Sequence, residues 1–125
     1  MHNDHDGAQR RGEAAESLAA RHLAAAGLRL IARNYRCRSG ELDLICSDRG
    51  DLVIVEVRQR SRRDFGGPLA SVGPVKQRRI HRTTEYFRLR SPQWADHAVR
   101  FDVIAILGDP ESAHELIWVK DAFRA

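Results

Sequence analysis

No apolar stretch in this 125-residue chain runs beyond a handful of residues, so no segment is expected to cross a bilayer as a helix. The opening MHNDHDGAQRRG lacks the apolar core of a secretory signal, which makes the cytoplasm the expected location. Cysteine is scarce: Cys37 and Cys46 are the two in the chain, and they lack the paired CxxC spacing of a zinc ribbon. In a reducing compartment they are expected to be free, buried thiols, which excludes a disulfide scaffold. Aromatic residues make up 6% of the chain. Trp94, Trp118, Tyr86 and Phe87 therefore read as packing residues before they read as platforms for stacked bases. Internal repeats and low-complexity segments are absent too, which argues against a solenoid.

What is present suits a soluble globular domain, with 42% hydrophobic and 30% charged residues. The length allows one domain with one sizeable core. The formal charge is +4, and most of the basic excess falls in VRQRSRR (57–63) and KQRRIHRTTEYFRLR (76–90). Clustered arginine favours a polyanion partner, nucleic acid being the commonest, although a basic solvated surface gives the same composition.

Residues 1–11 are polar and without periodicity, and are expected to form a flexible tail ahead of a single domain over 12–125. His2, Asp4, His5 and Asp6 in that tail have nothing to preorganise them as metal ligands. Ala15, Leu18, His22, Leu23 and Ala26 recur at helical spacing, and Gly27 follows as a C-cap, predicting a helix over 12–26. LRLIARNYRC (28–37), ELDLIC (41–46) and LVIVEVR (52–58) predict three strands joined by tight turns. The last is apolar on both faces, as a central strand is. SRRDFGGPLASVGP (61–74) reads as a loop. Val72, Lys76, Ile80, Thr83 and Phe87 then mark the inner stripe of a helix over 73–90, and RFDVIAIL (100–107) and HELIWV (114–119) predict two more strands. The expected fold is an α/β sandwich: an antiparallel meander, with the second helix as the crossover to the fourth strand of a mixed sheet.

Within VIVEV, Glu56 is an acid where burial is expected. Removing a carboxylate from water costs several kcal/mol (roughly, and more when it is unpaired), so it must be partnered or functional. Alternation puts Glu56 and Arg58 on one face with Leu52 and Ile54, and Asp43 shares its own face with Glu41 and Ile45. A five-residue turn lets Asp43 approach Glu56. Two such carboxylates suit Mg²⁺ or Mn²⁺; the alternative is a structural ion pair of Glu56 and Arg58 with Asp43 assisting. Asp102, in RFDV, is expected to pair with Arg100 or cap backbone.

An acid followed some ten to twenty residues later by an E-x-K-like triplet resembles the PD-(D/E)XK nuclease superfamily (a spacing of roughly strand plus turn plus strand). More closely, AESLAARHLAAAGLRLIARNYRCRSGELDLI, LVIVEVRQR, FGGPLASVGPVKQRRI, RFDVIAI and the final DAF resemble the bacterial YraN-like family across nearly everything after residue 11. The resemblance implies a restriction endonuclease-like αβββαβ core, a mixed central sheet flanked by helices. It implies that Asp43, Glu56 and the Val57 carbonyl bind a divalent cation, and that Glu16 on the first helix approaches it through water. Arg58 stands where the superfamily has lysine. It can supply charge, but not a base, because guanidinium does not deprotonate.

The activity implied is metal-dependent hydrolysis of phosphodiester bonds in DNA, branched or single-stranded. Arg60, Arg62 and Arg63, with Lys76 and Arg79, are the expected phosphate contacts, against the plainer readings of a solvated loop and a snorkelling lysine. A homodimer would suit a two-fold substrate. Two other readings stand beside the nuclease: a noncatalytic nucleic-acid-binding module on the same fold, and an interaction protein whose basic face meets another protein.

Overall fold

The computed structural model describes residues 4–61 and 72–124. Among these, chain order is α1 (Asp4–Ala25), β1 (Arg29–Cys37), β2 (Gly40–Asp48), β3 (Asp51–Arg60), α2 (Pro74–Arg90), a 3-10 turn at Pro92–Trp94, β4 (Val99–Gly108) and β5 (His114–Phe123). The strands form one mixed sheet in the order β1-β2-β3-β4-β5. β3 and β4 are parallel and every other pair is antiparallel. The expected meander and α2 crossover are therefore both present.

α1 begins at Asp4, well before the Gly12 start that hydrophobic periodicity predicts, and so takes in most of the stretch read as a tail. The reason is local. Ala8, Gln9, Arg10 and Arg11 are good helix formers with no proline among them, and an exposed turn needs no apolar face to be helical once the helix behind it is docked. Ala15, Ala19 and Leu23 lie at i, i+4 and i+8 and are buried against the sheet, where alanines allow close approach. The helix closes as the sequence suggests. Gly27 takes φ 97°, its N–H donates to the Ala24 carbonyl at 3.0 Å, and the Leu28 N–H donates to the Leu23 carbonyl at 3.0 Å.

The two helices cover opposite faces of the sheet. α1 meets Leu44, Cys46, Val53, Val55, Val57, Ile104 and Ile106, whereas α2 brings Ile80 and Phe87 onto Leu42, Ile45, Leu52, Ile54, Phe101 and Val103. Leu52 through Val57 are buried without a break, as a strand covered twice must be. Each of these apolar side chains contributes about 1.5–3 kcal/mol. Lys76 departs from the expected inner stripe: it is exposed at the start of α2, while Ile80, Thr83, Thr84 and Phe87 form the buried face. The physical cause is the ammonium group, which costs more to desolvate than its stem gains by burial and stays in water at the open first turn. No described helix is long and apolar enough to cross a membrane. Most of the loop expected over 61–74, with Arg62 and Arg63, lies outside the described residues, as do the side chains of His2, Asp4, His5 and Asp6.

Candidate functional site

β2 and β3 pair regularly from Asp48 opposite Asp51 to Leu44 opposite Val55, and there the ladder ends. The next two residues, Asp43 and Glu56, replace the missing bonds with their side chains. Oδ2 of Asp43 accepts from the Val57 N–H at 2.8 Å, and Oε2 of Glu56 accepts from the Asp43 N–H at 3.3 Å. On the β1 side the register holds through this position, with Arg33 opposite Leu44 and Tyr35 opposite Leu42, but Asn34 between them adopts φ 51°. A left-handed asparagine is tolerated where most residues are not. The break in the ladder is thus confined to the β2–β3 side, at Asp43 and Glu56.

Arg58 fills it. Its Nη1 donates to the Val57 carbonyl at 3.0 Å and lies 3.6 Å from Oδ2 of Asp43, and its Nη2 lies 3.6 Å from Oε1 of Glu56. The three oxygen groups expected to face a metal therefore all face one guanidinium. The fit is loose, for Nη2 is buried and donates no hydrogen bond among the described residues. Glu56 is 1% exposed. Burial, and then the Asp43 charge, push its carboxyl up to about 8, with Arg58 and Lys76 pulling it back. Burial likewise raises Asp43, opposed by the Val57 N–H, Arg58 and Lys76. Both acids thus lie above their ordinary range even with a guanidinium beside them, chiefly because they are buried.

Glu16 comes to this site from α1. Its carboxyl is raised by burial and then by the charge of Asp43, with a hydrogen bond from Asn34 opposing, and its Oε1 is buried without a hydrogen bond among the described residues. Arg33 lies 3.9 Å from that oxygen. Lys76 acts on Asp43 and Glu56 through its charge. It lines a cavity of about 480 Å³ with Gly40, Glu41, Pro74, Arg79 and Ile80, at the end of β2 that leads into Asp43. Gly40 is required there: it takes φ 151°, and a Cβ would stand 3.1 Å from the Thr83 hydroxyl. Arg60 is exposed at the end of β3, and Arg79 on α2. Asp43, Glu56, Val57 and Arg58 are thus brought together, with Glu16 and Lys76 at the edge. No group of three or more His, Cys, Asp or Glu side chains converges as a ready-made metal cage among the described residues.

Two contributors have only faint signals in the sequence. Asn34 is one polar residue in an alternating strand, and nothing in that pattern announces its backbone. Glu41, read from the sequence as a neighbour on the face of Asp43, also raises the carboxyls of Asp43 and Glu16. Tyr86 departs from its reading as a packing residue. Phe87 and Trp94 are buried as expected, but Tyr86 is 40% exposed on the outside of α2.

A family model described as "Uncharacterised protein family UPF0102" matches residues 15–106, a span that contains every one of these groups. A UPF0102 protein of Dechloromonas aromatica is 50% identical over 115 residues, covering 92% of this chain and 89% of that protein. One of Pseudomonas entomophila is 46% identical over 112 residues, covering 90% and 91%. Another, of Nitrosococcus oceani, is 43% identical over 114 residues, covering 91% of each.

Proposed function

The chain belongs to the uncharacterised protein family UPF0102, the YraN family, and from that premise we propose that it is a metal-dependent nuclease that hydrolyses phosphodiester bonds in DNA. The observation that carries the reading is the convergence of the Asp43 carboxylate, the Glu56 carboxylate and the Val57 carbonyl on one cationic group. These are hard oxygen donors, the set that Mg²⁺ and Mn²⁺ prefer. Glu16 adds a buried oxygen with no hydrogen bond among the described residues.

Asp43, Glu56 and the Val57 carbonyl would hold the ion, which when bound acidifies water for attack on phosphorus and offsets charge on the phosphoryl oxygens. The chain's own groups supply the rest. Arg58, displaced from the acids but tethered on the same strand, presents fixed positive charge to a phosphate. Lys76, exposed at the mouth of the adjoining cavity, adds a second cation, and Arg60 and Arg79 extend the basic surface. Glu16 orients water from the α1 side.

Arg58 in the place of the superfamily lysine favours a second reading, a noncatalytic nucleic-acid-binding module. One experiment separates the two. Linear, flapped and four-way DNA and structured RNA are incubated with the protein in Mg²⁺, Mn²⁺ or EDTA, beside Asp43→Asn and Glu56→Gln. Cleavage that needs both the metal and the two acids supports the nuclease, and binding without any cleavage supports the module.

A further inference from the structure

The outward face of α2 has no partner assigned to it by the site. Val75, Arg79, Arg82, Tyr86 and Leu89 recur at i, i+4, i+7, i+11 and i+14, so they form one stripe along the helix, opposite the face that buries Ile80 and Phe87. All are exposed, Val75 by 56%, Tyr86 by 40% and Leu89 by 80%. Arg90 extends the stripe, its guanidinium 5.6 Å from the centre of the Tyr86 ring. The one acid of the helix, Glu85, is taken up by Arg88 at 2.9 Å. The face is therefore basic along its length, with three large apolar or aromatic side chains set between the cations.

We infer that this stripe is a track for single-stranded nucleic acid, leading along α2 to the acidic site. The charge calls for a polyanion, and the apolar side chains decide which kind. A duplex presents phosphates and leaves its base faces stacked inside, so Val75, Tyr86 and Leu89 would have nothing to cover. A single strand offers phosphates to Arg79 and Arg82 and unstacked bases to the Tyr86 ring and its aliphatic neighbours. An acidic protein would satisfy the arginines without needing the aromatic ring. Direction follows from the fold: the first turn of α2 carries Lys76, which lines the cavity beside the site and whose charge already acts on Asp43 and Glu56, and the run from there to Arg90 is about 21 Å, enough for a few nucleotides. The link to the site rests on the nuclease reading; the binding itself does not.

The test is fluorescence anisotropy in EDTA, so that no cleavage takes place, using a labelled oligothymidylate, a duplex of equal length and a polyglutamate of similar charge. Tyr86→Ala should weaken oligothymidylate binding about 5- to 100-fold and leave the duplex unchanged. Arg79→Ala with Arg82→Ala should weaken both nucleic acids and reduce the salt slope for the single strand by about 1.4. These side chains lie on the surface, and circular dichroism with thermal melting checks that each variant is folded. If Tyr86→Ala leaves the single strand unchanged, or weakens both nucleic acids alike, the track is wrong. Polyglutamate binding as tight as oligothymidylate would overturn it in favour of a protein partner. A failed cleavage screen with this pattern of binding intact would remove the nuclease reading and leave the track standing.

Discussion

Arg58 donates to the carbonyl of Val57, its own chain neighbour, at 3.0 Å, and this contact turns its guanidinium back between Asp43 and Glu56 instead of out toward solvent. The side chain is 11% exposed, so the two acids are screened by an internal cation as much as by water. A divalent ion that used the same oxygens would have to displace it.

Arg58→Ala should therefore do two opposite things. Mn²⁺ affinity, measured by calorimetry, should rise at least about tenfold, because a unit charge close to the ligands has been removed. Cleavage should fall by about 10²-fold or more, since a preorganised charge beside the phosphate is lost. Arg58→Lys should retain or raise activity, and Lys76→Ala should matter less than Arg58→Ala, because Lys76 reaches the acids only from the exposed start of α2. In EDTA the alanine variant should be less stable by about 3 kcal/mol, two carboxylates having lost their partner, and Mn²⁺ should restore it. Unchanged metal affinity would show that guanidinium and ion do not compete.

The raised carboxyl of Glu56 predicts a pH dependence with an unusual sign. An ordinary glutamate ionises near 4.5, whereas this one is pushed up to about 8 by burial and the Asp43 charge. Between those values the folded protein holds a proton that the unfolded chain has released, so metal-free stability should fall as pH rises across the window, by on the order of 5 kcal/mol at most. Thermal melts of wild type and Glu56→Gln over that range check it: the difference between them should narrow as pH drops below 5. Adding Mn²⁺ above pH 7 should reverse the loss in wild type alone. Parallel melting curves at all pH values would contradict the assignment.

The two free thiols should differ in reactivity. Burial raises Cys37, but hydrogen bonds from the Ser39 hydroxyl and N–H, the Gly40 N–H and the Thr83 hydroxyl outweigh it and bring the thiol below its ordinary value. Cys46 is buried in the α1 face of the core and pushed up to about 12 by burial and the charge of Asp102. Iodoacetamide at pH 8 should label Cys37 first and Cys46 only on unfolding, read by peptide mass spectrometry. Equal rates in the folded protein would refute this.

Strand order, the crossover and the face shared by Glu56 and Arg58 are all legible in the sequence, because period-two alternation and a five-residue turn leave little freedom. The Gly27 cap is legible for a similar reason: its left-handed backbone needs glycine. What alternation does not reveal is which way a long side chain folds. Arg58 is placed on the correct face, yet nothing in VEVR says that its guanidinium turns back onto Val57. The same limit applies at Tyr86. It follows Glu85 and precedes the buried Phe87 in EYFR, and only the docking angle of α2 decides that one ring is buried and the other exposed. The start of α1 was hidden for another reason, since a solvated helical turn carries no hydrophobic period.

A second acid in the sheet shows what a structural carboxylate looks like here, and it yields the last prediction. Asp102 in β4 is wholly buried, and both of its oxygens are filled. Oδ1 accepts from Arg100 Nε at 2.9 Å and the Asp121 N–H at 2.9 Å, and Oδ2 accepts from Arg100 Nη2 at 3.1 Å and Trp118 Nε1 at 3.0 Å. The pairing with Arg100 is the one RFDV suggests, and the other two partners come from β5. The two bonds from Trp118 and Asp121 pin β5 to β4 where their register shifts between Phe101 and Val103. Glu56, by contrast, accepts one hydrogen bond at 3.3 Å and faces a guanidinium at 3.6 Å. A carboxylate with its lone pairs filled stabilises the fold and has nothing left to give to chemistry. One left under-bonded costs stability. Asp102→Ala should accordingly lower stability by about 1–3 kcal/mol, because it takes the acceptor from the Trp118 indole N–H and the Asp121 N–H and leaves Arg100 with Asp48 alone, while metal binding per folded molecule stays as in wild type. Glu56→Gln should do the reverse, holding or raising metal-free stability at pH 8 while abolishing the Mn²⁺ site. Denaturant melts paired with Mn²⁺ calorimetry on the two variants decide the matter, and loss of metal binding in folded Asp102→Ala would erase the distinction between the two acids.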